Sequence, residues 1–347
     1  MSSMISGRAS RRTVLGGLAA GGLASLSFRS RSARAAPVPL HVATQIGLAY
    51  LPLHVMLHDR LWESHAASRG VAARFTYSRL GGGSALNDAL ISDAAQVVAA
   101  GVAPLLVMWD RTKTNYRVTG LSALNASPMD LLGNRRGLRT IHDLTPKDRV
   151  AVPSLRVSIQ AVIFEMGIVK AFGANQLDRY VPTEVVMEHP DALAALISGG
   201  TPITAYMSSS PFQEIGLQHK SIVKLTDSFA IQGGPATFSV AYVKQRFFES
   251  NPKLAEAYYP ALDEAIDRIH RDPSAALDTY VAMTGDRTSR TLLEGILRGK
   301  YGQFSFSPVP SRTKPVADFM ARTGTLHSAP ASWKAYFAPA LHGMAGS

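Results

Sequence analysis

Two loops in this 347-residue chain have the make-up of an anion site. Gly81-Gly82-Gly83-Ser84 precedes a helical pattern, and Val152-Pro153-Ser154-Leu155-Arg156-Val157-Ser158 joins an apolar strand run to another. Each offers free backbone N–H groups and the positive end of a helix dipole at a strand terminus, an arrangement that suits an anionic group. Ser84, and Ser154 or Ser158, would equally serve as plain N-caps. The first loop lacks the spacing of a dinucleotide fingerprint, and no Walker lysine follows it. Arg156 gives the second loop more weight, because the dipole disfavours a cation at a helix N-terminus unless something negative offsets it. Tyr50 and Tyr206 fall at or just beyond strand ends in opposite halves of the chain, where they could sandwich a ligand or sit in the core.

His54, His58 and His65 share one helical stripe and raise a metal reading. At about 1.5 Å rise per residue, the outer two would stand about 16 Å apart along one helix, so only His54 and His58 could share an ion. No nearby side chain completes such a site, and surface histidines are the simpler account. No nucleophile elbow, no His-Glu-x-x-His and no paired carboxylates fall in these loops. Asp93, Asp143 and Asp191 occupy cap and turn positions, and Trp62 and Trp109 lie on helical patterns that suit a core role. The residues therefore imply no catalytic set, no metal and no cofactor.

These loops hang on an alternating pattern. Pro39 to Gln45 reads as a strand, Leu53 to His65 as a helix, Ala73 to Ser78 as a strand, Ala85 to Ile91 as a helix and Gln96 to Ala99 as a strand. The rhythm resumes with a strand from Arg149 to Pro153, a helix from Val157 to Phe172 closed by Gly173, a helix start at His189-Pro190 and a strand from Ile203 to Met207. This order predicts an α/β fold of mainly parallel sheets flanked by helices. An internal echo strengthens it. Ala89-Leu90-Ile91-Ser92-Asp93 leads into Gln96-Val97-Val98, and Ala195-Leu196-Ile197-Ser198-Gly199 leads into Ile203-Thr204-Ala205. Both copies end in loops of small residues, Ala100-Gly101-Val102-Ala103 and Ser208-Ser209-Ser210. In open α/β sheets ligands gather at the carboxyl ends of the strands, so two such ends facing each other make a cleft.

The N-terminus carries an address. Ser10-Arg11-Arg12-Thr13-Val14-Leu15 opens a 16-residue apolar tract, Thr13 to Phe28, that includes four glycines, and Ala33-Arg34-Ala35 follows. The tract is shorter than the roughly 20 apolar residues of a spanning helix. A basic start, an apolar middle and a small-residue exit are the parts of a signal peptide, and the paired arginines resemble the twin-arginine class. We place residues 1–35 in this leader. The formal charge of +11 includes six leader arginines and no leader acid, which leaves +5 for the rest. That mildly basic surface, without a Lys/Arg block, is not a nucleic-acid footprint. The sequence has no cysteine, hence no disulfide, no thiol nucleophile and no lipobox. The expectation is a soluble periplasmic protein.

At this point the residues resemble a family. The run Gly47-Leu48-Ala49-Tyr50-Leu51-Pro52, then the glycine-rich loop, then Ala89 to Asp93, looks like the solute-binding proteins of nitrate, sulfonate and taurine ABC importers. Ile141-His142-Asp143-Leu144 before Arg149-Val150-Ala151-Val152, and Val157-Ser158-Ile159-Gln160-Ala161 after it, resemble that family's entry into its second lobe. Lys314 to Met320 and Ala329 to Lys334 are similar more loosely. The resemblance implies a two-lobed periplasmic binding protein, each lobe a mainly parallel sheet flanked by helices. A hinge would close the lobes over one small molecule, and the closed form, a monomer, would dock on a membrane permease. Lobe one would take residues 36–126 and 235–347 and lobe two residues 127–234, with crossings near Asn125 to Pro128 and Gly233-Gly234-Pro235. Carried over position by position, the pocket would be lined by Leu48 and Tyr50, by Gly82, Gly83 and Ser84, and by Gly101 and Val102. The second lobe would add Ser154, Arg156, Val157 and Ser158, with Tyr206, Met207 and Ser208. The chain departs from the family where Asp93 replaces the usual glycine, and where Gln96 and Thr204 stand in strands that often carry an acid. The implied solute is anionic or zwitterionic, such as a sulfonate or carboxylate. Two alternatives keep the fold: an exported enzyme related to pyrimidine-precursor synthases, and a sensor subunit serving a membrane receptor. The missing cysteine, the missing catalytic set and the export signal weigh against the enzyme.

Overall fold

The computed structural model describes residues 36–347; the leader reading lies outside the described residues. Among the described residues eleven strands form two sheets. In chain order they are β1 (Val38–Thr44), β2 (Ala73–Arg79), β3 (Val97–Gly101), β4 (Val118–Ala126), β5 (Asp130–Gly133), β6 (Val150–Val152), β7 (Glu184–Val186), β8 (Ala205–Met207), β9 (Val223–Asp227), β10 (Thr237–Lys244) and β11 (Ser305–Phe306). The first sheet runs β11-β4-β10-β3-β1-β2 and the second β7-β6-β8-β5-β9. The chain thus leaves the first sheet after Ala126 and re-enters it at Thr237, and each sheet with its helices makes one lobe.

The parallel pairing that the alternating pattern predicts is confined to three neighbouring strands per sheet: β2-β1-β3 in the first and β7-β6-β8 in the second. The other pairings are antiparallel, and the strands that flank the two crossings, β4, β5, β9 and β10, make them. Antiparallel neighbours, unlike parallel ones, need no crossover connection between them.

The echoed segments form matching units. The helix Gly83–Ile91 is followed by Asp93 at φ 61°, and the helix His189–Ser198 by Gly199 at φ 63°. Glycine takes a left-handed turn at no steric cost. Asp93 is held there by Lys244, whose Nζ lies 2.9 Å from its Oδ1 and also reaches the Ile91 carbonyl. The two strand-side departures likewise have local work: Gln96 accepts from the His41 N–H, and Thr204 bonds Asp148 and accepts from the Arg149 N–H.

The single helix expected from Leu53 to His65 is two, Leu51–His58 and Leu61–Ser68. Arg60 between them is left-handed at φ 55°, and Asp59 is held by Arg268 at 2.7 Å, from a helix some two hundred residues later. Trp62 is fully buried, donates to the Leu254 carbonyl and packs on Phe75 and Tyr258. Trp109 is half-buried under Lys113. In the second lobe, the helix Ile159–Phe172 covers one face of the sheet and also touches the first-lobe helices Val102–Arg111 and Lys314–Arg322. One apolar core therefore runs across the lobe boundary, while the other face of the second sheet carries its own cluster around Leu132, Leu196 and Tyr206. No helix among the described residues is long and apolar enough to cross a membrane.

Candidate functional site

The loops that follow β1, β2 and β3 meet the loops that follow β6, β7 and β8. Glycines set how closely. A methyl at Gly82 would stand 2.8 Å from Ser154 Oγ and 3.1 Å from the Pro153 carbonyl oxygen. One at Gly101 would collide with Ile159 Cγ2 and stand 2.7 Å from its Cβ. One at Gly83 would touch Val157 while running into Pro104, and one at Gly47 would reach the Ser210 carbonyl oxygen at 3.4 Å. The Leu48 N–H donates to that same carbonyl at 3.4 Å. The carboxyl ends of the parallel strands in the two lobes are thus pressed face to face.

The residues named from the sequence fall on these faces or just beneath them. Leu48 and Tyr50 form a short turn after Gly47 and are fully covered, the Tyr50 hydroxyl donating to Gln45 Oε1. Gly82 and Gly83 are buried and Ser84 is exposed, while Gly101 and Val102 are buried where β3 becomes a helix. In the second lobe Ser154 and Ser158 are buried, Val157 is half-buried and Arg156 is exposed. Tyr206, Met207 and Ser208 are covered completely, and the Tyr206 hydroxyl bonds His189 Nδ1. The two tyrosines therefore each engage their own lobe through their hydroxyls.

Ser158 is a working N-cap: its Oγ accepts from the Ala161 N–H at 3.2 Å and donates to the Ser154 carbonyl at 2.7 Å. Ser158→Ala is expected to lower stability by about 1 kcal/mol, read from urea unfolding of residues 36–347. Unaltered stability would mean that the serine serves the cleft and not the helix. Arg156 is left-handed at φ 58°, and its charge acts on two buried carboxyls in the same lobe, Glu165 and Glu184.

The three histidines have separate partners. His54 is buried with Nε2 on the Tyr77 hydroxyl at 2.8 Å, His58 pairs with Asp59 and His65 with Glu264. No group of three potential metal ligands occurs among the described residues.

No protein-family model and no curated protein sequence matches the chain. Solved structures do. The alkanesulfonate-binding protein from Xanthomonas axonopodis pv. citri, bound to MOPS, superposes with TM-score 0.64 at 17% identity, covering 84% of this chain and 92% of that one. The periplasmic aliphatic sulphonate binding protein from Escherichia coli gives 0.64 at 13% identity, over 87% and 92%. The periplasmic nitrate-binding protein from Synechocystis PCC 6803 gives 0.63 at 13%, over 86% and 84%. The chain has the periplasmic binding protein fold.

Beside the strand ends lie buried polar networks that sequence reasoning did not bring together. In the first lobe Thr44 donates to the Gln45 carbonyl and meets the Tyr77 hydroxyl at 3.0 Å, which in turn meets His54. His54 Nδ1 is left without a partner among the described residues. Burial, aided by the Arg79 charge, pushes the His54 pKa down to about 3, so the ring is neutral. In the second lobe His189 Nε2 lies 3.3 Å from Ser209 Oγ and 3.3 Å from the Gln160 amide. This Ser–His distance does not make a nucleophile pair. His189 Nδ1 meets the Tyr206 hydroxyl and not a carboxylate, so the acid member of a Ser–His–Asp triad is missing, and Nε2 also faces the Gln160 amide nitrogen. Burial also pushes His189 down to about 4. These groups lie far apart in sequence; the only local sign was a polar residue closing an apolar strand, as at Thr44 and Gln45.

Proposed function

We propose that the chain is the substrate-binding component of an ABC importer, exported by its twin-arginine-type leader to work as a soluble monomer in the periplasm. It captures a small anionic or zwitterionic solute by lobe closure and presents the closed form to a membrane permease. The observation that carries this reading is the meeting of two sets of strand-end loops, on a fold shared with proteins named for sulfonate and nitrate binding. Leu48, Tyr50, Gly82, Gly83, Ser84, Gly101, Val102, Ser154, Arg156, Val157, Ser158, Tyr206, Met207 and Ser208 are the residues that we assign to or beside the solute when the lobes part. A solute shifts the open–closed balance only by as much as it prefers the closed state, so affinity and closure are one quantity here.

Thermal unfolding of residues 36–347 against sulfonates, carboxylates, nitrate, bicarbonate, amino acids and pyrimidines tests the proposal. A solute at about 100 times its Kd adds about 2.7 kcal/mol, enough to raise Tm by several degrees. A shift from one class, with the compound recovered unchanged, is the expected result. A compound that is consumed, or no shift from any member, would overturn it.

A further inference from the structure

Two crossings join the lobes, and they are built differently. In the second, Gly233 at φ 79° and Gly234 at φ 146° stand before Pro235, in backbone that glycine adopts freely. The first crossing, from Ala126 at the end of β4 to Asp130 at the start of β5, has no glycine. Two side chains of the second lobe hold its backbone instead. Gln213 Oε1 accepts from the Asp130 N–H at 3.0 Å, and Gln213 Nε2 donates to the Pro128 carbonyl at 3.1 Å. Ser228 Oγ accepts from the Met129 N–H, and the Ser228 N–H donates to the Met129 carbonyl, both at 2.9 Å. Each hydrogen-bonding group from the Pro128 carbonyl to the Asp130 N–H is thereby tied to the second lobe. Ser127, by contrast, makes no backbone–backbone hydrogen bond among the described residues. The Pro128 ring fixes the φ that follows, so bending at this crossing falls on Ser127.

Gln213 also reaches the cleft. Its Nε2 lies 3.3 Å from Ser210 Oγ and 3.1 Å from Glu214 Oε1, and that carboxyl oxygen accepts from the Ser210 hydroxyl at 2.7 Å. The Ser210 carbonyl is the one that takes the Leu48 N–H of the first lobe, and the Ser208 N–H donates to the Asp130 carbonyl at 2.8 Å. Gln213 is 2% exposed, and a primary amide is costly to bury unless its donors and acceptor are met, as they are here.

We propose, resting on the lobe-closure reading above, that Gln213 is the positioning residue of closure: it makes the first crossing and the loop 208–210 one rigid unit, so that a pull on this loop turns the chain at Ser127. Without the clamp the same pull is absorbed by slack around Met129, and the angle between the lobes is poorly defined. Ser228 supports the clamp by holding Met129.

The sequence has no cysteine, so a pair of spin labels can be placed without removing one. Asp88→Cys and Ala194→Cys put them at exposed positions of the two echoed helices, one in each lobe. Dipolar electron spin resonance of solute-free residues 36–347 then reads the spread of lobe separations, and amide exchange reads the clamp itself. Gln213→Met keeps the bulk and removes both bonds. It is expected to speed exchange of the Asp130 amide about threefold to tenfold and to broaden the distribution of separations, with a cooperative melt showing that the variant is folded. Ser127→Gly, which loosens the pivot, should broaden the distribution as well. Faster exchange with an unaltered distribution would make Gln213 a local structural group and overturn the inference, as would unaltered exchange, or an unaltered distribution in Ser127→Gly. Where Gln213→Met does not fold, Ser228→Ala, which opens the other half of the clamp, decides: a broader distribution supports the inference and an unaltered one overturns it. No solute enters these measurements, so the panel above decides the solute-binding reading separately.

Discussion

Gly101→Ala is expected to weaken solute binding by about fivefold to a hundredfold while leaving the melting temperature of the unliganded protein unchanged or slightly higher. Gly101 sits at φ −64°, ψ 168°, backbone that alanine adopts without strain. In a form with the lobes apart, the substitution has only the small benefit of a less flexible unfolded chain, about 0.4–1 kcal/mol. In the closed form the added methyl collides with Ile159, which belongs to the other lobe. The clash reaches the Ile159 Cβ, at 2.7 Å, so it cannot be relieved by a rotamer change at the tip of the side chain. Overpacking of this kind costs about 1–3 kcal/mol, and each 1.4 kcal/mol is tenfold in affinity. The whole of it falls on closure. Titration of the solute found by the thermal panel measures the loss, and Ile159→Ala in the Gly101→Ala background should recover part of it. An unaltered Kd in Gly101→Ala would mean that the solute-bound form does not bring Gly101 against Ile159.

The elements that place these loops were largely legible. The helix Ile159–Phe172 follows a capping serine and ends at Gly173, as its pattern predicts, and the two echoed helices end in left-handed residues at Asp93 and Gly199. Such features are written in local chemistry: caps, turns and periodicity. What failed depends on contacts made across the chain. The break at Arg60 needs Asp59 to meet Arg268, and no window around residue 60 contains that ion pair. The same holds for the cleft. Gly82 and Gly101 advertise close approach by being glycine, but which backbone or side chain approaches them is decided by the other lobe.

Glu165 and Glu184 are the largest instance of a site invisible to local reading, and they yield a pH dependence. Glu165 lies on the helix Ile159–Phe172 and Glu184 opens β7; they are 4% and 8% exposed, and neither Glu184 oxygen finds a donor among the described residues. Burial raises both pKa values above the ordinary 4.5, and the nearby Glu165 carboxyl raises Glu184 further, against a smaller lowering by Arg156. Both carboxyls therefore hold protons more tightly in the folded chain than in the unfolded one. Their favourable contribution is complete below pH 4.5 and is lost as the pH rises through neutrality. Aspartates with depressed values, such as Asp148 on Arg135, act the opposite way but only in acid. His54 and His189, held neutral, oppose folding only below their ordinary 6.5. Between pH 7 and 9 the pair should therefore dominate. Stability is expected to fall by about 2 kcal/mol across that interval, since each proton released costs about 1.4 kcal/mol per pH unit. Glu184→Gln, which keeps the shape and removes one charge, should flatten the slope and leave the variant more stable than the parent at pH 9. Urea unfolding at pH 7, 8 and 9 reads both effects, and an equal slope in parent and variant would show that the pair does not ionise in this range.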